Sequence, residues 1–178
     1  MTLQQQLALT SLLVKDYDEA IDFFVNTLEF KLVEDSQTVQ SNNPAKSKRW
    51  VVVAPAGSTQ SGILLAQPSN QSQAERIGDQ AGDRVFMFLY TDDFWRDYET
   101  YRSRGVQFVR GKPRTEEYGI VAVFLDISGN LWDLIQPKAL KWNSFNRIVH
   151  KQTIQVLRLW FLCFCLMVRS ALNQLFIE

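Results

Sequence analysis

With 178 residues, 46% of them hydrophobic, the chain is long enough to bury one good core. Nineteen basic residues cancel nineteen acidic ones, so no basic excess exists to neutralise a phosphate backbone, which argues against nucleic acid as a partner. The single histidine, His150, and the only cysteines, Cys163 and Cys165, all fall after Lys138. Ser-His and Cys-His nucleophilic chemistry is thereby removed from everything before that point.

The neutral total hides two unlike parts. Up to Lys138 fourteen Lys and Arg face eighteen Asp and Glu, whereas Lys141, Arg147, Lys151, Arg158 and Arg169 stand against Glu178 alone in the remainder. A body without cysteine fits a cytosolic protein, and we expect a cytoplasmic location. In the remainder, Cys163 and Cys165 would point to different faces of a helix, which disfavours a chelating or disulfide pair.

In chain order, Leu7 to Val14 is an apolar run with neither a basic flank nor a small-residue cleavage site, so it reads as a first strand and not as a signal peptide. Asp16 followed by Glu19 is a capping-box pattern. Tyr17, Ile21, Phe24 and Leu28 then recur at i, i+4, i+7 and i+11, which predicts a helix from Tyr17 to Leu28. A strand follows at Phe30 to Val33. Gln37 to Lys48, polar and containing Asn42-Asn43-Pro44, reads as a mobile loop. Two more β-type runs, joined tightly through Ala56-Gly57-Ser58-Thr59, end at Gln67-Pro68.

The stretch Pro68 to Asp83, rich in Ser, Gln, Asn and Gly, reads as a linker. The pattern then begins again. Val85 to Tyr90 is apolar, Thr91-Asp92-Asp93 offers oxygen caps, and Phe94, Tyr98 and Tyr101 predict a helix from Phe94 to Arg104. Gly105 stands where a left-handed C-terminal glycine would end it. Val106 to Val109 is a strand, and the charged Arg110 to Tyr118, with Pro113, reads as a rim loop. Ser128-Gly129-Asn130 is a tight connection, and the last run ends at Gln136-Pro137. Asp93 opens its helix seventy-seven positions after Asp16 opens the first. Two βαβββ units are the reading, of class α+β, with paired curved mixed sheets and outer helices. We place module one at about 5–68 and module two at about 84–138, together forming domain 1–138, and a helical tail at 139–178.

The helix start Asp16-Tyr17-Asp18-Glu19-Ala20-Ile21-Asp22-Phe23-Phe24 and the run from Asp126 through Gly129-Asn130 to Asp133 resemble the vicinal-oxygen-chelate superfamily. That group includes glyoxalase I, extradiol dioxygenases and bleomycin-resistance proteins. The resemblance covers residues 5–138 and implies a ligand cleft between modules. In metal-dependent members it also implies His, Glu or Gln ligands on the first and last strands of each module. Carried onto this chain those positions are Leu9, Leu64, Phe86 and Asp133. Three of them have no lone pair to give, and zinc, nickel or iron needs three or four donors. We therefore expect no metal and no cofactor.

Asp133 has two readings. In one it is a lone carboxylate in an apolar cleft, orienting a cationic or hydroxylated ligand. In the other it is a vestige, hydrogen-bonded to a neighbour or to water. Phe86, Phe88 and Tyr90 share a face by strand alternation, and Phe86 and Phe88 with Trp50 form either a stacking wall for a planar ligand or a filled core. Trp132 is expected under a helix and Trp95 half-exposed beside one. Arg114 and Tyr118 either clamp and donate to a ligand from a lid or belong to a solvated charge run. The chain carries no Gly-rich phosphate loop and no nucleophile elbow.

Beyond Lys138, Leu159 to Val168 is an unbroken apolar run of ten between Arg158 and Arg169. A spanning helix takes about twenty apolar residues, so the run reads instead as a docking helix, a membrane-surface anchor or read-through sequence that selection never shaped. The leading functional reading is a metal-free binder of a small, partly apolar molecule. The alternatives are a glyoxalase-type lyase or dioxygenase with an unrecognised metal site, and an interaction module with a filled cleft and a docking tail. Pairing of the modules within one chain or across a homodimer stays open.

Overall fold

The computed structural model describes residues 7–40, 43–58 and 61–138. The tail 139–178, with its apolar run and both cysteines, lies outside them. The first module runs β1 (Leu9–Leu13), α1 (Tyr17–Asp22), a π turn (Phe23–Thr27), β2 (Lys31–Gln40), β3 (Asn43–Ala54) and β4 (Gly62–Ala66). After the short helix α2 (Gln71–Ala74) come β5 (Met87–Tyr90), α3 (Phe94–Ser103), β6 (Phe108–Glu116), β7 (Gly119–Leu125) and β8 (Leu131–Pro137).

Each module makes a four-stranded mixed sheet with the same order, β1-β4-β3-β2 and β5-β8-β7-β6. The first strand of each lies parallel to the last: Leu12 beside Leu65 in one, Leu89 beside Leu134 in the other. This is the paired βαβββ architecture.

The helix starts form where oxygen caps stand. Asp16 Oδ1 accepts from the Asp18 and Glu19 amides at 2.8 and 3.1 Å, and Asp93 accepts from the Arg96 amide at 3.1 Å. Gly105, at φ +88°, ends α3 as its lack of a Cβ permits. The first helix does not stay α to Leu28. Past Asp22 it widens, the Leu28 amide reaching the Phe23 carbonyl at 3.0 Å across five residues.

Two expected loops are strands. Of Gln37 to Lys48, the described residues 37–40 and 43–48 belong to the paired strands β2 and β3, with Gln37 opposite Arg49 and Gln40 opposite Asn43. Pro44 is tolerated there because β4 pairs with β3 only at Val51 to Val53, leaving the outer length of β3 with one neighbour. Arg110 to Tyr118 is likewise mostly β6. Val109 pairs with Val123 but the next pair is Arg114 with Val121, so residues 110–113 bulge out of the ladder. Arg110 and Gly111, at φ 59° and 95°, make the turn that the bulge requires.

One continuous core fills the helix side of both sheets. Phe24 of the π turn, Phe30, Phe124 and Trp132 meet there, Phe24 and Trp132 with ring centroids 5.9 Å apart. Trp132 is buried as expected and Trp95 half-exposed. The second module also caps the end of the first helix: Tyr101 Oη donates to the Leu28 carbonyl at 3.2 Å, and the Arg104 guanidinium donates to the carbonyls of Asn26 and Thr27. Four carbonyls at a helix end need such partners.

Candidate functional site

The core takes one face of each sheet, and the opposite face, here called open, is only partly sheltered: Val52, Val121 and Ile135 are buried on it, whereas Leu9 and Phe88 are exposed. Alternation assigns the residues. Leu65, Val51 and Val53 belong to the core, so Leu64 and its ladder neighbours Ser11 and Val52 lie on the open face. Leu9, opposite Gly62, and Trp50, two residues before Val52, share that face. Leu9 is exposed, whereas Leu64 and Trp50 are partly buried.

In the second sheet Trp132 and Leu134 belong to the core. Asp133 and its ladder neighbour Phe88 therefore lie on the open face. Ala122 and Phe124 point to the core, so Val121 and its partner Arg114 join Asp133 on the other side. Phe88 keeps 62% of its surface in contact with solvent. Phe86, expected beside Phe88 in a wall, is half-buried and packs against the core instead, because it precedes the regular strand. From β5, Phe88 and Tyr90 present their rings on this open face.

Asp133 is the chemically distinctive group. Its Oδ1 is buried and has no hydrogen-bond partner among the described residues. Burial pushes its carboxyl above the ordinary value of 3.8, while Arg114 and then Arg110 pull it back. Tyr118 is raised in turn by burial, by Glu116 and by Asp133, with Arg114 opposing. Asp133, Arg114, Arg110 and Tyr118 thus form one electrostatic group. The bulge at 110–113 supplies Arg110, which donates to the Asp83 carbonyl, and Arg114 donates to the Arg110 carbonyl at 3.3 Å.

Sequence reasoning gave site roles to Asp133, Arg114 and Tyr118 but none to Arg110 or Ser11. The bulge that carries Arg110 leaves no periodic signal. Ser11 could have been found as the first-strand neighbour of Leu64, had the register between parallel strands been readable.

The metal positions that the resemblance implies do not fit a metal. Leu9, Leu64 and Phe86 offer carbon only, and one carboxylate cannot hold zinc, nickel or iron. Among the described residues no three His, Cys, Asp or Glu side chains are grouped to hold an ion.

A second carboxylate shows the contrast. Asp126 Oδ1 accepts from the amides of Ser128, Gly129 and Asn130, each at 2.9 Å, and its Oδ2 accepts from Asn130 Nδ2 and Trp132 Nε1, each at 3.0 Å. Its role is structural: it ties the Ser128-Gly129-Asn130 turn to the core.

The profile of the Glyoxalase/Bleomycin resistance protein/Dioxygenase superfamily matches residues 6–134. An uncharacterised protein of Shewanella frigidimarina is 52% identical over 134 residues, covering 75% of this chain and 95% of that one. Among solved structures, TnmS3, an antibiotic-binding protein from Streptomyces sp. CB03234, is 28% identical with a TM-score of 0.59, covering 78% of this chain and all of that one. A glyoxalase/bleomycin resistance protein from the same Streptomyces is 30% identical with a TM-score of 0.55, covering 74% of this chain and all of that one.

Proposed function

The chain belongs to the Glyoxalase/Bleomycin resistance protein/Dioxygenase superfamily, and from that premise we propose that it binds a small, partly apolar molecule on its open sheet faces without a metal ion. One observation carries the reading. On the open face of the second sheet an exposed phenyl ring, Phe88, stands beside a carboxylate, Asp133, whose Oδ1 has no protein partner among the described residues. A large ring in water and an unsatisfied buried acceptor both cost free energy, and a ligand that covers one and donates to the other recovers it.

In this reading Leu9, Leu64 and Trp50 supply the apolar half of a cleft. Phe88, Asp133, Arg114 and Tyr118 supply the aromatic and polar half, and the two halves close into one cleft within the chain or across a homodimer. The antibiotic-binding relative TnmS3 supports a binding role over a catalytic one. Residues 1–138 are the binding body and 139–178 an accessory tail. A cytoplasmic location belongs to the same proposal. Among the described residues no helix is long and apolar enough to cross a membrane.

The test is a thermal-shift screen of small aromatic and apolar compounds, each with and without added zinc, nickel, manganese and iron salts. Bound ligand raises the melting temperature by mass action. The expected result is stabilisation by a subset of compounds, unchanged by metal. Purified protein carrying near one equivalent of metal, lost in Asp133→Ala, would overturn it and favour glyoxalase-type chemistry.

A further inference from the structure

We propose that the open face of the second sheet selects a planar aromatic ligand bearing a neutral hydroxyl, with the Asp133 carboxylate accepting the O–H and the Phe88 ring stacking on the aromatic frame. The inference rests on the reading of the open faces as a ligand site and names the ligand class for it.

The geometry begins with register. Phe88 and Asp133 are lateral neighbours on parallel strands, so their side chains leave the same face side by side. An aromatic ligand lying on Phe88 therefore brings its ring substituents to the carboxylate. The terminal torsion of an aspartate is broad and roughly two-fold. A donor arriving from the open side can turn the carboxylate toward itself without forcing it out of a rotamer well.

Two comparisons within the chain show that the fold does not need this acid. Asp126, on the same module, has both oxygens satisfied by protein donors. The fold thus supplies partners to a carboxylate that holds structure, and withholds them from Asp133 Oδ1. At the corresponding place in the first sheet stands Leu64, with Ser11 where the second sheet has Phe88. A hydrocarbon serves the architecture there without loss.

Charge narrows the donor. Arg114 and Arg110 already act on Asp133, so a cationic ligand would meet two guanidinium groups on its approach. An anionic ligand would meet Asp133 itself and Glu116, which lies 3.4 Å from Arg114 and occupies part of its positive charge. A neutral O–H meets neither objection. It also suits Tyr118, whose hydroxyl is held protonated by burial and by the nearby carboxylates of Glu116 and Asp133.

The experiment measures affinity of the full-length protein for four probes on one frame: beta-naphthol, methylnaphthalene, naphthylmethylamine and naphthoate. Beta-naphthol is expected to bind tightest. Asp133→Leu, which copies the first sheet, should weaken beta-naphthol about tenfold or more, the scale of a hydrogen bond to a charged group, while methylnaphthalene should bind at least as well as to wild type. Asp133→Asn keeps a neutral acceptor and should give a smaller loss. Phe88→Ala should weaken both uncharged probes, with circular dichroism confirming the fold of each variant. Equal affinity of beta-naphthol for wild type and Asp133→Leu overturns the proposal, as does tighter binding of the amine or the acid. If methylnaphthalene binds as well as beta-naphthol, the hydroxyl inference fails while the ligand-site reading stands. If none of the four binds, both fail.

Discussion

The indole Nε1–H of Trp132 donates to Oδ2 of Asp126 at 3.0 Å, which ties the start of β8 to the turn that precedes it. The tie is central because Trp132 also packs against Phe24 and Phe30 of the first module and Phe124 of the second. One carboxylate thereby fixes both the turn and the ring at the junction of the two modules. Asp126→Ala removes the acceptor of three amides, a side-chain amide and an indole at once. Leaving a buried donor unpaired costs about 1–3 kcal/mol each, and water reaches some of these groups after the change. A loss of at least about 3 kcal/mol is expected, measured by denaturant unfolding. A variant within 1 kcal/mol of wild type, on the scale of an ordinary surface substitution, would refute this role.

Gly78 sits at φ +80°, and a Cβ built there would lie 2.2 Å from the Ser128 carbonyl oxygen. Gly111, at φ +95°, has nothing within 4 Å. The two positions separate backbone strain from collision. Gly111→Ala should cost about 1–2 kcal/mol, the scale of the left-handed conformation alone. Gly78→Ala must also push the linker off the Ser128 turn, and its cost should be clearly greater. Equal melting temperatures for the two variants would show that the linker yields freely.

The linker has a second attachment that no sequence pattern announced. Gln80 places its side-chain amide against the free edge of β1 as a neighbouring strand would. Its Oε1 accepts from the Leu13 amide at 2.6 Å, and its Nε2 donates to the Ser11 carbonyl at 3.1 Å. The Gln80 backbone N–H donates in turn to Asn130 Oδ1 at 3.1 Å, and the Ser128 hydroxyl to the Leu13 carbonyl at 3.1 Å. Edge strands are otherwise open to pairing. Gln80→Ala should cost about 1–2 kcal/mol and speed exchange of the Leu13 amide well beyond that of Leu89. Unchanged exchange at Leu13 would remove the clamp from the account.

The parts legible in the sequence were those set by local chemistry. Asp16 and Asp93 cap helices because a short acceptor before an amphipathic run has few other uses. Leu65 and Trp132 face the core because alternation assigns them to it. What could not be read was set by distant partners. The polar hairpin around Gln37 has no apolar alternation to betray it, since both of its faces carry polar residues. The bulge at 110–113 looks like a charged loop until Val121 and Val123 show how β7 passes it. Phe86 alternates with Phe88 in sequence, yet it precedes the regular strand and its ring goes to the core. Gln80 resembles every other polar residue of the linker. At the site, the residue types were visible, but the pairing of Phe88 with Asp133 depends on a parallel register fixed by chain nearly fifty residues away.

The unpartnered carboxylate has a consequence for stability as well as binding. Burial raises Asp133 above 3.8 in the folded protein, against the opposing pull of Arg114 and Arg110. A carboxyl with a raised folded pKa holds its proton longer when folded than when unfolded. Its contribution to stability is therefore fully present below about 3.8, the unfolded value, and is lost as pH rises through the folded value. Asp133→Asn cannot ionise and escapes that loss. The variant should melt higher than wild type at neutral pH, and the gap should close as pH falls to the range where both side chains are uncharged. Tyr118, which Asp133 also influences, is raised as well and stays neutral across this window. Thermal melts of both proteins from acid to neutral pH measure the gap directly. A constant difference, or a wild type that melts higher at neutral pH, would mean that Asp133 gains a partner in solution. It would then hold structure, as Asp126 does, and the ligand would have to be read by other groups. A gap that opens with pH marks instead an acid kept at a cost to the apo protein, the expected pattern for a residue retained for binding.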